Sequence, residues 1–403
     1  MRSRKTWRMS GLMMLMYAVQ GAWWPLLASH LSDCGIGGAG RGLIFATMAI
    51  ASVAMPLGAG RLVDRLMPTQ HYLAWAFALG SILLGVVGSR LATGAPALFG
   101  LFLAYFLLYA PCHGLANSLV MRNLDRPSEQ FPGIRLWGTV GWMAVGWLVS
   151  GLMAATGGTG WGGGTTVAFW VGAGLSALAC VYTLTLLPHT PPLDLGGDAP
   201  NLIGQARELL RQPDVAPYLA VAFGVNLTTP FVFQVMTTHL EAMGLQRAWV
   251  SSAMSLGQIP EIGALVLLPW ALRRFGEKAT LALGIAAWSV RYASMAAGPP
   301  LWLAVAGIPL HGVGNACFTI GGHVFIDSKA PPSRRAGAQA LNMVVTNGLA
   351  NLLGSLVAGR IVQALPPGDR RVFLVPALVD TGLLIFVLMR LRTWRNRGPY
   401  RSA

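Results

Sequence analysis

Charge is what this chain has least of. Only 11% of its 403 residues are charged, less than half the share of about 25% usual in soluble globular domains, while 54% are apolar. A soluble single-core protein of this length is excluded by that balance, and an integral membrane protein is indicated. Acidic residues are scarcer still, 14 against 29 Lys and Arg. In a soluble chain such an excess would point to nucleic acid, but here the basic residues fall between apolar runs and report topology instead. Cysteine is sparse: Cys34, Cys112, Cys180 and Cys317 show neither paired nor metal-binding spacing and are taken as small apolar fillers. No Gly-Lys-Ser/Thr phosphate loop, His/Cys metal cluster or nucleophile elbow is present, so no catalytic residue, metal or cofactor is expected, and ATP-driven pumping and enzyme activity are set aside. No cleavable signal is expected either, because the basic start (Arg2, Arg4, Lys5, Arg8) leads into an apolar stretch longer than an h-region.

What is present is length in the apolar runs. Crossing the hydrocarbon core takes about 20 apolar residues, and twelve such runs are predicted, near 10–31, 41–63, 70–89, 95–121, 133–155, 166–187, 215–238, 249–272, 278–297, 300–326, 336–362 and 372–391. With a cytoplasmic N-terminus, 21 of the basic residues fall inside and six outside, which predicts cytoplasmic termini on both ends. Three parts follow: a bundle over 1–187, a proline-rich cytoplasmic linker with a short amphipathic helix over 188–214, and a second bundle with a basic tail over 215–403. The halves echo each other in the basic turns Gly60-Arg61-Leu62-Val63-Asp64-Arg65 and Ala271-Leu272-Arg273-Arg274-Phe275-Gly276.

The polar exceptions within the spans carry the functional signal. In the fifth span, Arg135, Thr139 and Trp142 stand at i, i+4 and i+7 and share one helical stripe. Two readings fit: half of a binding site, or an arginine snorkelling to the headgroups with Trp137 and Trp142 as interfacial aromatics. Glu261 lies near the middle of the eighth span with Gln258 at i−3 on the same face. A carboxyl there must be protonated, paired or facing water, which suits a proton-coupled carrier; a static pairing with Arg291 or Arg135 is the structural alternative. Further stripes lie at His311, Asn315 and Phe318, at Tyr109, His113 and Asn117, at Gln20 with Trp23 and Trp24, and at Asn226, Thr229 and Phe233. Singly each reads as packing; together they suggest a wet cavity for a ligand with a flat ring and many hydrogen-bonding groups. Structural or gating roles are expected for Asp64, Arg65, Arg291 and His323, for Asp327 in a network with Lys329 and Arg334, and for Asp380 beside a basic neighbour.

Six spans on either side of one long loop, with matching basic turns, resemble the major facilitator superfamily, an all-α fold of two six-helix halves. The segment Phe131-Pro-Gly-Ile-Arg-Leu-Trp-Gly-Thr-Val-Gly-Trp142 resembles, more narrowly, the signature of the nucleoside:proton symporter family. Gln258-Ile-Pro-Glu261, Trp288-Ser-Val-Arg-Tyr292, His311-Gly312, Val324-Phe-Ile-Asp327, Arg335-Ala-Gly-Ala-Gln339 and Thr346-Asn-Gly348 extend the likeness over nearly the whole chain. The resemblance implies uptake of nucleosides with protons across the cell inner membrane by alternating access, by a monomer whose partners are its substrate, protons and lipid and not nucleic acid. It implies that Arg135, Thr139 and Trp142 meet the substrate from one half and Gln258 and Glu261 from the other, with His311 and Asn315 at contact positions. Where the family carries an Asp in span ten, this chain has Ala316, which leaves proton coupling to Glu261. A carrier of the same fold for a sugar or aromatic acid, and a non-transporting membrane sensor, are the competing expectations.

Overall fold

In a lipid interior every backbone N–H and C=O must be satisfied within its own segment, so spanning segments fold as helices. The computed structural model describes residues 2–54, 67–157, 164–191, 202–331 and 334–390, and among these there is no strand. Among the described residues nine helical segments are long and apolar enough to cross a membrane, and Gly38–Ala54 is a shorter apolar helix. Helices also occupy the first and ninth predicted runs. The turn carrying Asp64 and Arg65 lies outside the described residues.

The chain forms two compact units, the first comprising Met1–Gly197 with Leu245–Ser255 and the second Asp198–Gly244 with Leu256–Ala403. In the first, α1 (Arg2–Trp23) passes through a tight turn at Trp24–Leu26, set by Pro25, into α2 (Leu27–Asp33). It is followed by α3 (Gly38–Ala54), α4 (Thr69–Gly88), α5 (Ala95–Arg122), α6 (Pro127–Ala155) and α7 (Thr166–Leu186). Small residues set the spacing: a Cβ at Gly141 of α6 would stand 2.2 Å from the carbonyl oxygen of Met14, and one at Gly138 2.6 Å from the Tyr17 ring. Only glycine lets these backbones approach so closely. Trp23 fills the centre among Phe102, Tyr105, Phe106 and Phe169, and buried hydroxyls find carbonyls, as Ser176 Oγ does at Phe77 O, 2.7 Å away.

In the second unit α8 (Leu202–Leu210) precedes α9 (Val215–Thr228), which runs past Pro230 through a π-helical stretch, Phe231–Val235, into α10 (Met236–Ala242). Next comes α11 (Val250–Ser255), which by its contacts belongs to the first unit. There Trp147 Nε1 donates to Ser255 Oγ (2.8 Å), the Ser252 amide donates to Ser150 Oγ (3.1 Å), and Arg247 pairs with both carboxylate oxygens of Asp33 at 2.8 and 2.9 Å. The second unit continues with α12 (Gln258–Phe275), α13 (Glu277–Ala297), α14 (Leu301–Ala306), α15 (Leu310–Gly314), α16 (Gly321–Lys329), α17 (Arg335–Met343), α18 (Asn351–Ala364) and α19 (Leu374–Arg390). Two more π-helical stretches, Asn315–Ile320 and Val344–Ala350, interrupt the tenth and eleventh spans. Such widened turns leave backbone groups off the regular ladder and gather at functional sites. Large apolar side chains on outer faces, among them Trp75, Ile82, Val266, Trp302 and Leu378, remain exposed, as lipid-facing positions require.

Two expectations for the charged groups are corrected. Lys329 pairs with Asp214 at 3.3 Å and Arg334 with Glu208, while Asp327 takes its hydrogen bond from Gln339 Nε2 at 2.7 Å. The basic residues are thus drawn to carboxylates at the start of the unit, leaving Asp327 to an amide. Asp380 meets the hydroxyl of Thr228, not a basic neighbour. Close beside this cluster, burial pushes the Glu277 carboxyl above its ordinary range, the nearby Lys329 opposing.

The glycine packing is testable. Gly141→Ala drives a methyl into Met14 O and is expected to lower stability by about 1–3 kcal/mol, seen as a reduced unfolding temperature in detergent. Gly100→Ala, with nothing within 4 Å of the new Cβ, should leave that temperature unchanged.

Candidate functional site

In the first unit the close packing of α6 on α1 shapes the surroundings of Arg135. Its guanidinium carbon lies 4.1 Å from the centroid of the Tyr17 ring, a cation–π contact that leaves the side chain half-buried. Tyr17 meets His113 edge-on at 5.1 Å, and His113 meets Tyr109 at 5.5 Å. The Tyr109 hydroxyl is tied to Met16 O, so Tyr109 braces α1 against α5. Thr139 is 9% exposed, on the same stripe, and Trp142 packs over Gly21, whose missing Cβ would stand 3.0 Å from the indole. Gln20 is half-buried one residue away, and Asn117 Oδ1 is buried with no hydrogen-bond partner among the described residues. Of the residues singled out in sequence, Arg135 and His113 meet Tyr17, while Trp142 lies over Gly21, one turn further along α1. Trp23 and Trp24 belong to the aromatic core instead.

In the second unit a different close approach does the positioning. A Cβ at Gly312 would lie 2.1 Å from Gly257 O and 2.6 Å from the Glu261 amide, so α15 lies directly on the start of α12. One turn on from Gly312, Asn315 Nδ2 donates to Glu261 Oε1 at 2.9 Å. Gln258, a turn before Glu261, is half-buried. His311 accepts a hydrogen bond from Trp288 Nε1 through Nδ1, 3.3 Å away, which places the proton of a neutral ring on Nε2. Phe233 meets His311 edge-on at 6.4 Å. Arg291 does not pair with Glu261: it is 2% exposed, and its three guanidinium nitrogens have no hydrogen-bond partner among the described residues.

Two candidates are placed elsewhere than a ligand-contact role requires. Phe318 is 2% exposed, stacked on Tyr218 and against Trp288, because Gly284 opens a slot for it in α13. Asn226 is buried and spends its amide on Ala222 O within its own helix, at 2.8 Å. Gln234 Oε1, a few residues on, is buried without a partner among the described residues. Sequence reasoning did not single out Tyr17 and named Trp288 only within a motif, although the contacts of both could have been anticipated. Tyr17 stands at i−3 from Gln20 on the face turned to α6, and Trp288 stands one turn before Arg291.

The family described as Nucleoside H+ symporter matches residues 4–393. The chain belongs to that family. It is similar to "Putative nucleoside transporter YegT" of Escherichia coli K12, 30% identical over 367 residues, 89% of this chain and 85% of that protein. It is also similar to nucleoside permease NupG of the same organism, 27% identical over 374 residues, with 87% and 86% covered. The crystal structure of the nucleoside transporter NupG superposes with a TM-score of 0.83 at 26% identity, covering 96% of this chain and 99% of that one. The fold is therefore that of a major facilitator transporter, and the chain is a multi-pass membrane transporter coupling nucleosides to protons, not an enzyme.

Loss of the Tyr17 ring should be felt at Arg135. A cation–π contact is worth about 0.5–2 kcal/mol, so Tyr17→Leu is expected to weaken nucleoside binding several-fold in a binding titration, whereas Tyr17→Phe, which keeps the ring, should preserve it.

Proposed function

We propose that the chain takes up nucleosides across the cell inner membrane, both termini cytoplasmic, by alternating access, with Glu261 as the carboxyl that carries the coupled proton. The reading rests on the bond from Asn315 Nδ2 to Glu261. An amide N–H serves a carboxylate and the carbonyl oxygen of a carboxylic acid alike. Glu261 can therefore load and release a proton without leaving its partner, as a carrier needs in an apolar span. His311, fixed with Nε2 as donor, offers a hydrogen bond to a base carbonyl or ring nitrogen, and Gln258 offers an amide to ribose hydroxyls. In the first unit, Arg135, Thr139 and Trp142 form a second binding surface: a cation held by Tyr17, a hydroxyl, and an indole able to stack on a base. Similarity to xanthosine permease of Escherichia coli K12, 27% identical over 378 residues, supports a nucleoside as the substrate.

Replacing Glu261 with Gln keeps the amide contact and removes the titration. In proteoliposomes the variant should lose accumulation driven by a proton gradient while still exchanging labelled for unlabelled nucleoside. Gradient-driven accumulation equal to that of the unaltered protein would rule the assignment out.

A further inference from the structure

Asp380 lies midway along the final span with 0% of its surface exposed, and the group that meets it is a hydroxyl. Thr228 Oγ1 stands 3.1 and 3.2 Å from the two carboxyl oxygens of Asp380 and 2.7 Å from the carbonyl oxygen of Val225, one turn back on its own helix. A hydroxyl has one proton to give. That hydroxyl is within donating reach of Val225 O and of both Asp380 oxygens, and when it gives its proton to Val225 O its oxygen can accept one from a protonated Asp380.

The surrounding charges agree. From α13, packed along α19, Tyr292 donates its hydroxyl to Thr228 O at 2.9 Å, and Arg291 makes no hydrogen bond among the described residues, so it does not hold Asp380 as a carboxylate. From α9 the other titratable side chain is Tyr218, stacked against Phe318 and Phe325. From the turn Arg370–Phe373, Arg370 donates to Ala297 O and Arg371 pairs with Asp369. An ionised Asp380 would be a buried anion with no cation bonded to it among the described residues, an arrangement the apolar interior strongly disfavours.

We propose that Asp380 is a proton-carrying carboxyl of this transporter, occupied by its proton in the conformation described here and held by Thr228. Thr228 sits two residues before Pro230 and the π-helical stretch Phe231–Val235, where the regular ladder is already broken. A shift in that stretch turns the Thr228 hydroxyl from Val225 O to Asp380; the carboxylate then has a donor, and its proton leaves to water, only the O–H bond of the carboxyl breaking. The same helix carries Asn226, Thr229 and Phe233, so occupation of Asp380 is linked to the face on which those side chains stand. The proposal is independent of the role given to Glu261.

Infrared spectra of the full-length protein in lipid at neutral pH test it. A carboxylic-acid C=O band is expected that survives Glu261→Gln, disappears in Asp380→Asn, and moves to higher frequency in Thr228→Val, which removes the hydrogen bond but keeps the shape. The ratio of protons to nucleoside, measured from the voltage at which transport reverses, should fall in Asp380→Asn. A carbonyl region unchanged by Asp380→Asn, or unmoved by Thr228→Val should the asparagine variant not fold, overturns the proposal. An unchanged ratio overturns its part in transport. Because Glu261→Gln is scored separately, failure of that assignment leaves the Asp380 result standing.

Discussion

The arrangement of the second unit depends on one contact between backbones. Gly312 touches the chain at Gly257 and Glu261, where any side chain would force the helices apart. That approach brings Asn315, one turn further on, within hydrogen-bonding distance of Glu261. It also settles His311, which precedes Gly312, against Gly257 and within reach of Trp288. In lipid, helices gain little from apolar burial against one another, so dispersion at close range and a few polar bonds decide how they pack. Glycine supplies the first and Asn315 the second.

The first unit solves the same problem with different residues. Gly138 and Gly141 draw α6 onto α1, and the space left by the absent Cβ of Gly138 is taken by the Tyr17 ring. A cation inside a span needs a counter-partner, and here an aromatic face is part of that provision for Arg135. The first unit thus carries a cation, a hydroxyl and an indole on α6, and the second carries a carboxyl, amides and an imidazole on α12 and its neighbours.

The polar groups of the spans divide by how they are satisfied. Asn226 closes on its own helix and Phe318 disappears into packing, although their spacing on a helical wheel equals that of Asn315 and His311. A stripe at i, i+4, i+7 fixes which residues share a face but not what that face meets. In span ten, moreover, the π-helical stretch Asn315–Ile320 changes the angle per residue, so Phe318 turns away from the line that a regular helix would give it. The charge network shows the same limit: Asp327 is near Lys329 and Arg334 in sequence, yet both cations find carboxylates more than a hundred residues earlier.

The membrane class and the spacing of the apolar runs were written in the sequence, because the thickness of the hydrocarbon core and the need to satisfy every peptide group leave a chain of this composition few choices. The polar side chains that stand out there, Arg135 and Glu261 above all, stand out for the same reason: a charged group in an apolar span is costly. Tertiary structure alone decided their partners. Tyr17 under Arg135, Asn315 on Glu261, Trp288 on His311 and Thr228 on Asp380 join residues far apart in the chain, and those meetings are set by glycine-sized gaps and interrupted helices whose effect exists only once two helices are laid side by side.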